Sequence, residues 1–264
     1  MSADQSLAKV REQGAELYDK LRTLTFPLGV RFLEHGEDMP EGVFRPSAYG
    51  KSMTLCQGFT LARRSGASVG FTADDNVCLA STAAHGWKSV DPLDMLKSQE
   101  MAGYHAGPDA EAKVGMTRKM MPAGRFYGMV ISPLPKTEVL PQVVLVYGNP
   151  TAIHHLIASL TYHGRVINSN FYSTGESCIK GLIETYLTDG PQVVIPGLGD
   201  RVTSMTGEDE MLMGIPAALL SEAVENLFAG KIGQPVAFLM PDVPDNLTPA
   251  WPYLREKMSP DEEK

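Results

Sequence analysis

Two short runs, residues 126–131 and 139–147, constrain this chain more than any other feature. Both are dense in β-branched and aromatic side chains, which lose rotamer freedom in a helix and pack well on a pleated surface. The Pro-rich turn Pro133-Leu134-Pro135 lies between them, so they read as two strands paired as a hairpin at the centre of a sheet. Helical patterns lie on either side in sequence, and a sheet flanked by such patterns buries its apolar face beneath them. The predicted fold class is therefore mixed α/β (α+β), a central mixed or antiparallel sheet flanked by helices.

The remaining elements follow from local signals. Leu7, Val10, Leu17, Leu21 and Leu24 recur at helical spacing among charged residues, giving an opening helix over residues 5–24 that Phe26-Pro27 ends. Residues 28–33 alternate apolar and polar and read as a strand. A helix starts near Ser52 and closes at Gly66, a strand follows at 67–72, and the turn Asp74-Asp75-Asn76 begins another helical piece. Residues 92–121, rich in methionine and small side chains, read as helical. Asn149 as N-cap with Pro150 at the first helical position opens a helix to about Tyr162. Ser173 and Glu176, three apart, form a capping box for a helix that stops at Gly190. Residues 192–195 and 210–213 read as strands, Pro196 to Arg201 as a loop with no clear helix after it, and 216–228 as a helix. The expectation is one domain over 1–264, with the opening helix in 1–25, the core in 26–240 and an extended, Pro- and charge-rich tail over 241–264.

Charge narrows the function. With 23 Lys+Arg against 31 Asp+Glu the net charge is −8, the wrong sign for holding a phosphate backbone, so nucleic acid is not an expected partner. No run approaches the roughly 18 apolar residues of a membrane span, and the polar start Met1-Ser2-Ala3-Asp4-Gln5 lacks the pattern of a signal peptide. A cytoplasmic protein is expected. Its odd set of three cysteines argues against a disulfide framework.

Those cysteines carry the chemistry. Cys56, Cys78 and Cys178 each fall near the start of a predicted helix, where free N–H groups and the macrodipole lower a thiol's pKa. Moreover, Cys56-Gln57-Gly58, then Gly66 and a strand, is echoed by Cys178, Gly181, then Gly190 and a strand. Such a duplication would place two similar helices about a pseudo-twofold axis with a site between them. Three converging thiolates suit a soft metal centre, above all a 4Fe-4S cluster with one iron open to another ligand. The spacings of 22 and 100 residues match no zinc or cluster motif, and free cysteine is commonly a small core hydrophobe.

Other constellations are weaker. His85, soon after Cys78, is the candidate fourth ligand; His154 and His155 point about 100° apart on a helix and cannot easily share an ion. Gly197, Gly199 and Arg201 lie in a loop after a strand. Arg201 would either bind a carboxylate bidentately or order its own loop. No nucleophile elbow, P-loop or His-Glu-x-x-His occurs, and the 14 methionines fit adaptable core filling.

The stretch Phe126-Tyr127-Gly128-Met129-Val130-Ile131-Ser132-Pro133-Leu134, then Val143 to Asn149-Pro150 and His163-Gly164, resembles the central region of the domain-of-unknown-function 169 family. The likeness extends to Cys56 with Ala62-Arg63, to Cys78, to Gly175 through Cys178, and to Pro196 through Arg201 with Asp209-Glu210 and Ile215-Pro216. It implies a prokaryotic cytoplasmic protein of mixed α/β fold. It further implies that relatives often carry a cysteine in the loop corresponding to Pro196-Gly197, where this chain has none. The leading expectation is cluster binding by the three cysteines, with a small molecule or redox protein as partner. A metal-free module that binds an anionic metabolite in a cleft between two halves, using Arg201, Gly197 and Gly199, is the rival. A thiol enzyme with one activated cysteine is a third reading. An exposed sheet edge could support a homodimer.

Overall fold

The computed structural model describes residues 3–172, 175–230 and 250–258. Six strands build one sheet: β1 (Leu28–Leu33), β2 (Val69–Thr72), β3 (Gly128–Pro133), β4 (Val143–Gly148), β5 (Gln192–Val194) and β6 (Met211–Pro216). Their spatial order is β2-β3-β1-β4-β6-β5, and every pairing among them is antiparallel. The fold is therefore mixed α+β, as the strand runs and helical patterns require. The expected hairpin of β3 with β4 does not form. β1 lies between them, pairing with β3 on one side and β4 on the other.

Helices cover both faces. On one face α2 (Leu55–Ser65) packs against β2 and β3, while a π-helix (Glu176–Glu184), continued by α7 (Thr185–Thr188), packs against β5 and β6. Phe32, Phe59, Phe71, Leu145, Leu182 and Leu212 fill the layer between. On the other face α1 (Ala3–Leu21), α6 (Pro150–Thr161) and α9 (Leu220–Glu225) close over Val144, Val146, Met213 and Ile215. β4 is buried along its whole length, which is why its sequence is a continuous apolar run. Each fully buried aliphatic or aromatic side chain here contributes about 1.5–3 kcal/mol.

Several boundaries move for local reasons. Residues 92–121 form two helices, α4 (Pro92–Ala102) and α5 (Pro108–Gly115), because Gly103 and Gly107 turn to positive φ between them. The helix expected over 216–228 begins as a 3-10 turn, Ala217–Leu219, before α9. A helix, α8 (Leu198–Ser204), occupies what reads as a loop after Pro196. In the expected extended tail, α10 (Ala250–Met258) is helical, and the rest of 241–264 lies outside the described residues. Among the described residues no helix is long and apolar enough to cross a membrane.

The register contains the twofold. Pro133 at the end of β3 stands opposite Leu28, and Pro216 at the end of β6 stands opposite Val143. A rotation carrying Leu28 onto Val143 also carries Val30 onto Leu145, and the observed pairs Leu28–Leu145 and Val30–Val143 exchange under it. The axis passes through the Gly29–Val144 pair. Phe71 opposite Met129 then matches Val194 opposite Leu212. The helices obey the same relation: a Cβ on Gly58 would lie 2.2 Å from Phe71, and one on Gly181 would lie 2.8 Å from Leu212 and 3.6 Å from Val194. Both glycines therefore let a helix lie close against the sheet.

Candidate thiol site

Four helix starts border a cavity of about 140 Å³, room for several waters. Cys56 sits in the first turn of α2, fixed by a capping box: Gln57 N donates to Thr54 Oγ1 at 3.2 Å and Thr54 N to Gln57 Oε1 at 2.8 Å. Cys78 is itself the N-cap of α3 (Leu79–Ala84). Asn76 pins it, its Nδ2 donating to the Cys78 carbonyl at 3.1 Å and to Thr82 Oγ1 at 3.0 Å. Cys178 lies in the first turn of the π-helix, which begins after Gly175 in the left-handed conformation. Ser173, the expected cap, and Thr174 lie outside the described residues. Lys180 N donates back to the Gly175 carbonyl at 3.3 Å, the wider i to i+5 turn. That turn absorbs the one extra residue between Cys178 and Gly181 relative to Cys56 and Gly58.

Cys56, Cys78 and Cys178 all line this cavity, so the structure brings together thiols separated by 22 and 100 residues. Gly197 and Gly199 line it too. Gly197 is the N-cap of α8, as Cys78 is of α3, so the twofold places a glycine at the corner opposite a thiol.

Thiol acidity runs against the helix-start expectation. The neighbouring Cys178 thiol and then burial push Cys56 well up. Burial also raises Cys78; the N–H groups of Ser81 and Ala80 pull down, and burial wins. Thiols held this way are poor nucleophiles near neutral pH, which counts against an activated-cysteine enzyme. Two carboxyls at the cavity behave alike. Burial lifts Asp200 despite hydrogen bonds from Ser177, Cys56 and the Gly197 N–H. Burial lifts Glu176 to about 8 against the pull of Lys180 and Arg118, and among the described residues neither of its oxygens has a hydrogen-bond partner. Burial thus drives both carboxyls of the cavity wall toward the protonated form, and a cation bound there would draw them back toward the carboxylate.

Other predicted residues fall elsewhere. His85 caps the opposite end of α3 and does not line the thiol cavity. It is fully buried, Nδ1 donates to the Ser81 carbonyl at 2.8 Å, and burial lowers its pKa to about 4. Arg201 is turned onto its own loop, with Nε on the Pro196 carbonyl at 3.1 Å and Nη1 on the Gly207 carbonyl at 2.5 Å. His155 packs edge-on against Phe228. Among the described residues no three His, Cys, Asp or Glu side chains are set to close on a single metal ion. Asp200 and Arg118, which line the cavity, carry no site signal in the sequence, and Glu176 reads there only as a helix-capping residue.

The second half is tied to α2 by Arg63. Its fully buried guanidinium reaches Glu210 at 2.5 and 3.1 Å, donates to Thr25 Oγ1 at 3.2 Å and stacks on Tyr147 at 4.3 Å. Arg63 and Glu210, far apart in sequence, both belong to the stretches that carry the family resemblance.

Residues 16–226 match the DUF169 family, described as uncharacterised ArCR. The uncharacterized protein MJ0308 of Methanocaldococcus jannaschii is 22% identical over 223 residues, covering 82% of this chain and 93% of that protein. No solved structure matches at a significant level. With residues 16–226, four-fifths of its length, matched, this chain belongs to the DUF169 family.

Proposed function

We propose that this protein holds a 4Fe-4S cluster through Cys56, Cys78 and Cys178, leaving one iron without a cysteine at the Gly197 corner. One observation carries the reading: the chain's only three cysteines line a single cavity. In a cluster each thiolate takes its own iron, so the thiols need not converge on one ion. The crowded acids favour a cationic guest, whereas backbone N–H groups at the helix starts favour an anionic one. A metal–sulfur cluster answers both, its irons taking thiolates and its sulfides accepting N–H groups. When bound it would supply one-electron transfer and a site for a small ligand at the iron without a thiolate. His85 is not part of this set. The thiolate site belongs in a reducing compartment such as the cytoplasm, with a small molecule or a redox protein as partner.

Arg118 and the helix starts also favour a second reading, a metal-free site for an anionic metabolite in the same cavity. Purification without oxygen, with absorption, iron and acid-labile sulfide measured together, separates the two. Cluster binding predicts a broad band near about 400 nm and about four irons per chain. A colourless chain that stays iron-free after incubation with ferrous iron and sulfide would leave the metabolite site as the account.

A further inference from the structure

We propose that a second cavity, distinct from the thiol site, binds a small amphipathic monocarboxylate. It measures about 490 Å³ and lies among the segment after α3, α4 and α5. That is within the roughly 300–1,000 Å³ of ordinary small-molecule pockets. Its walls are largely apolar, including Leu93, Leu96, Met116 and Met120, and Leu93 and Met116 are 65% and 80% exposed. Such side chains gain by covering an apolar body, and methionines adapt to its outline. The charged lining is Lys88, Arg118 and Glu111. Glu111 is buried, its Oε2 lies 2.5 Å from His105 Nδ1, and its Oε1 stands 3.6 Å from Arg118 Nη1. Glu111 answers Arg118, whereas Lys88 has no carboxylate in ion-pair range among the described residues, which favours an anionic head group. Arg118 lines both cavities, so a carboxylate drawn toward it would sit at the wall shared with the thiol site. Delivery of substrate to a cluster there rests on the functional reading above; binding itself does not.

Trp87, between the lining residues Gly86 and Lys88, is a built-in reporter. Titrating the full chain with octanoate, in iron-loaded and iron-free form, should change its fluorescence saturably at one molecule per chain in both. Octylamine should bind roughly tenfold more weakly, and Lys88→Glu should weaken octanoate by about fivefold. Gly115 lines the cavity with open space around its Cβ position, so Gly115→Leu should abolish binding while leaving the melting temperature unchanged. Absence of saturable octanoate binding, equal binding of octylamine, or binding indifferent to Gly115→Leu would overturn the proposal. A concentration-dependent dimer in sedimentation that Gly115→Leu dissociates would overturn it too, making a second copy the occupant. Octanoate binding by a chain that never takes up iron would uphold this cavity and sink the cluster.

Discussion

The two halves of the sheet present the same construction to the thiol cavity and differ at one corner. In the first, α2 offers Cys56 and the cap of α3 offers Cys78; in the second, the π-helix offers Cys178 and the cap of α8 offers Gly197. Each half presses a helix onto the sheet through a glycine, Gly58 on Phe71 of the edge strand β2 and Gly181 on Leu212 of β6, next to the edge. The shared features are those that packing demands. The difference, a thiol against a glycine at equivalent caps, is one packing does not demand, and it is where a three-thiolate site would remain open.

The largest way to break the comparison is at the thiol contributed by the second half. Cys178→Ser should lower iron retained after anaerobic preparation by more than about tenfold with the fold preserved by circular dichroism. Gly197→Cys should do the opposite, slowing iron loss to a chelator. Unchanged retention in both would remove the cysteines from any metal role.

Next comes the tie between the halves. Glu210→Ala leaves the buried Arg63 guanidinium without its carboxylate and should cost about 3–5 kcal/mol in urea denaturation. A loss below about 1 kcal/mol would show that Thr25 and Tyr147 suffice to hold Arg63.

The caps also differ at their far ends, His85 closing α3 and the exposed Met205 closing α8. His85 is held neutral down to about 4, below its ordinary 6.5. As pH falls through this window the unfolded chain takes the proton and the folded chain does not, so stability present above 6.5 is progressively lost toward 4. This component is on the order of 3 kcal/mol. Comparing denaturation at about pH 7 and about pH 4.5, His85→Leu should show a correspondingly smaller acid loss. An equal loss in the variant would assign the acid sensitivity to the carboxylates.

The packing comparison itself can be sharpened, and the smallest effect belongs to Gly181. Gly58→Ala drives a Cβ to 2.2 Å from the buried Phe71 ring, whereas Gly181→Ala meets the tip of Leu212 at 2.8 Å. Overpacking should cost about 3 kcal/mol at the first and about 1 kcal/mol at the second. The reverse order would mean that the π-helix is the more rigid of the two.

Much of this was legible from particular residues. Residues 28–33 alternate and form β1 over that span, and Asn149-Pro150 starts α6 with Asn149 Oδ1 accepting from Ala152 N at 2.9 Å. The paired Cys–Gly–helix–Gly–strand units gave the twofold and the meeting of Cys56 with Cys178. What failed was non-local. Residues 126–131 and 139–147 are close in sequence, yet the twofold requires β1 beside β4 at the centre, so β3 is displaced outward. α8 was hidden because Gly197-Leu198-Gly199 reads as loop and only seven residues follow helical geometry. The acidity of Cys56 and Cys78 was reversed because helix-start position is written in sequence whereas depth of burial is not.

The central claim, that Cys56, Cys78 and Cys178 together hold one metal–sulfur centre, is most directly tested by native mass spectrometry of the anaerobically prepared full chain. The account predicts a species heavier than the bare chain by about 350 Da, the mass of four irons and four sulfides, absent from Cys56→Ser, Cys78→Ser and Cys178→Ser. A wild-type chain found only at its bare mass after reconstitution, or the same added mass in all three variants, would contradict it.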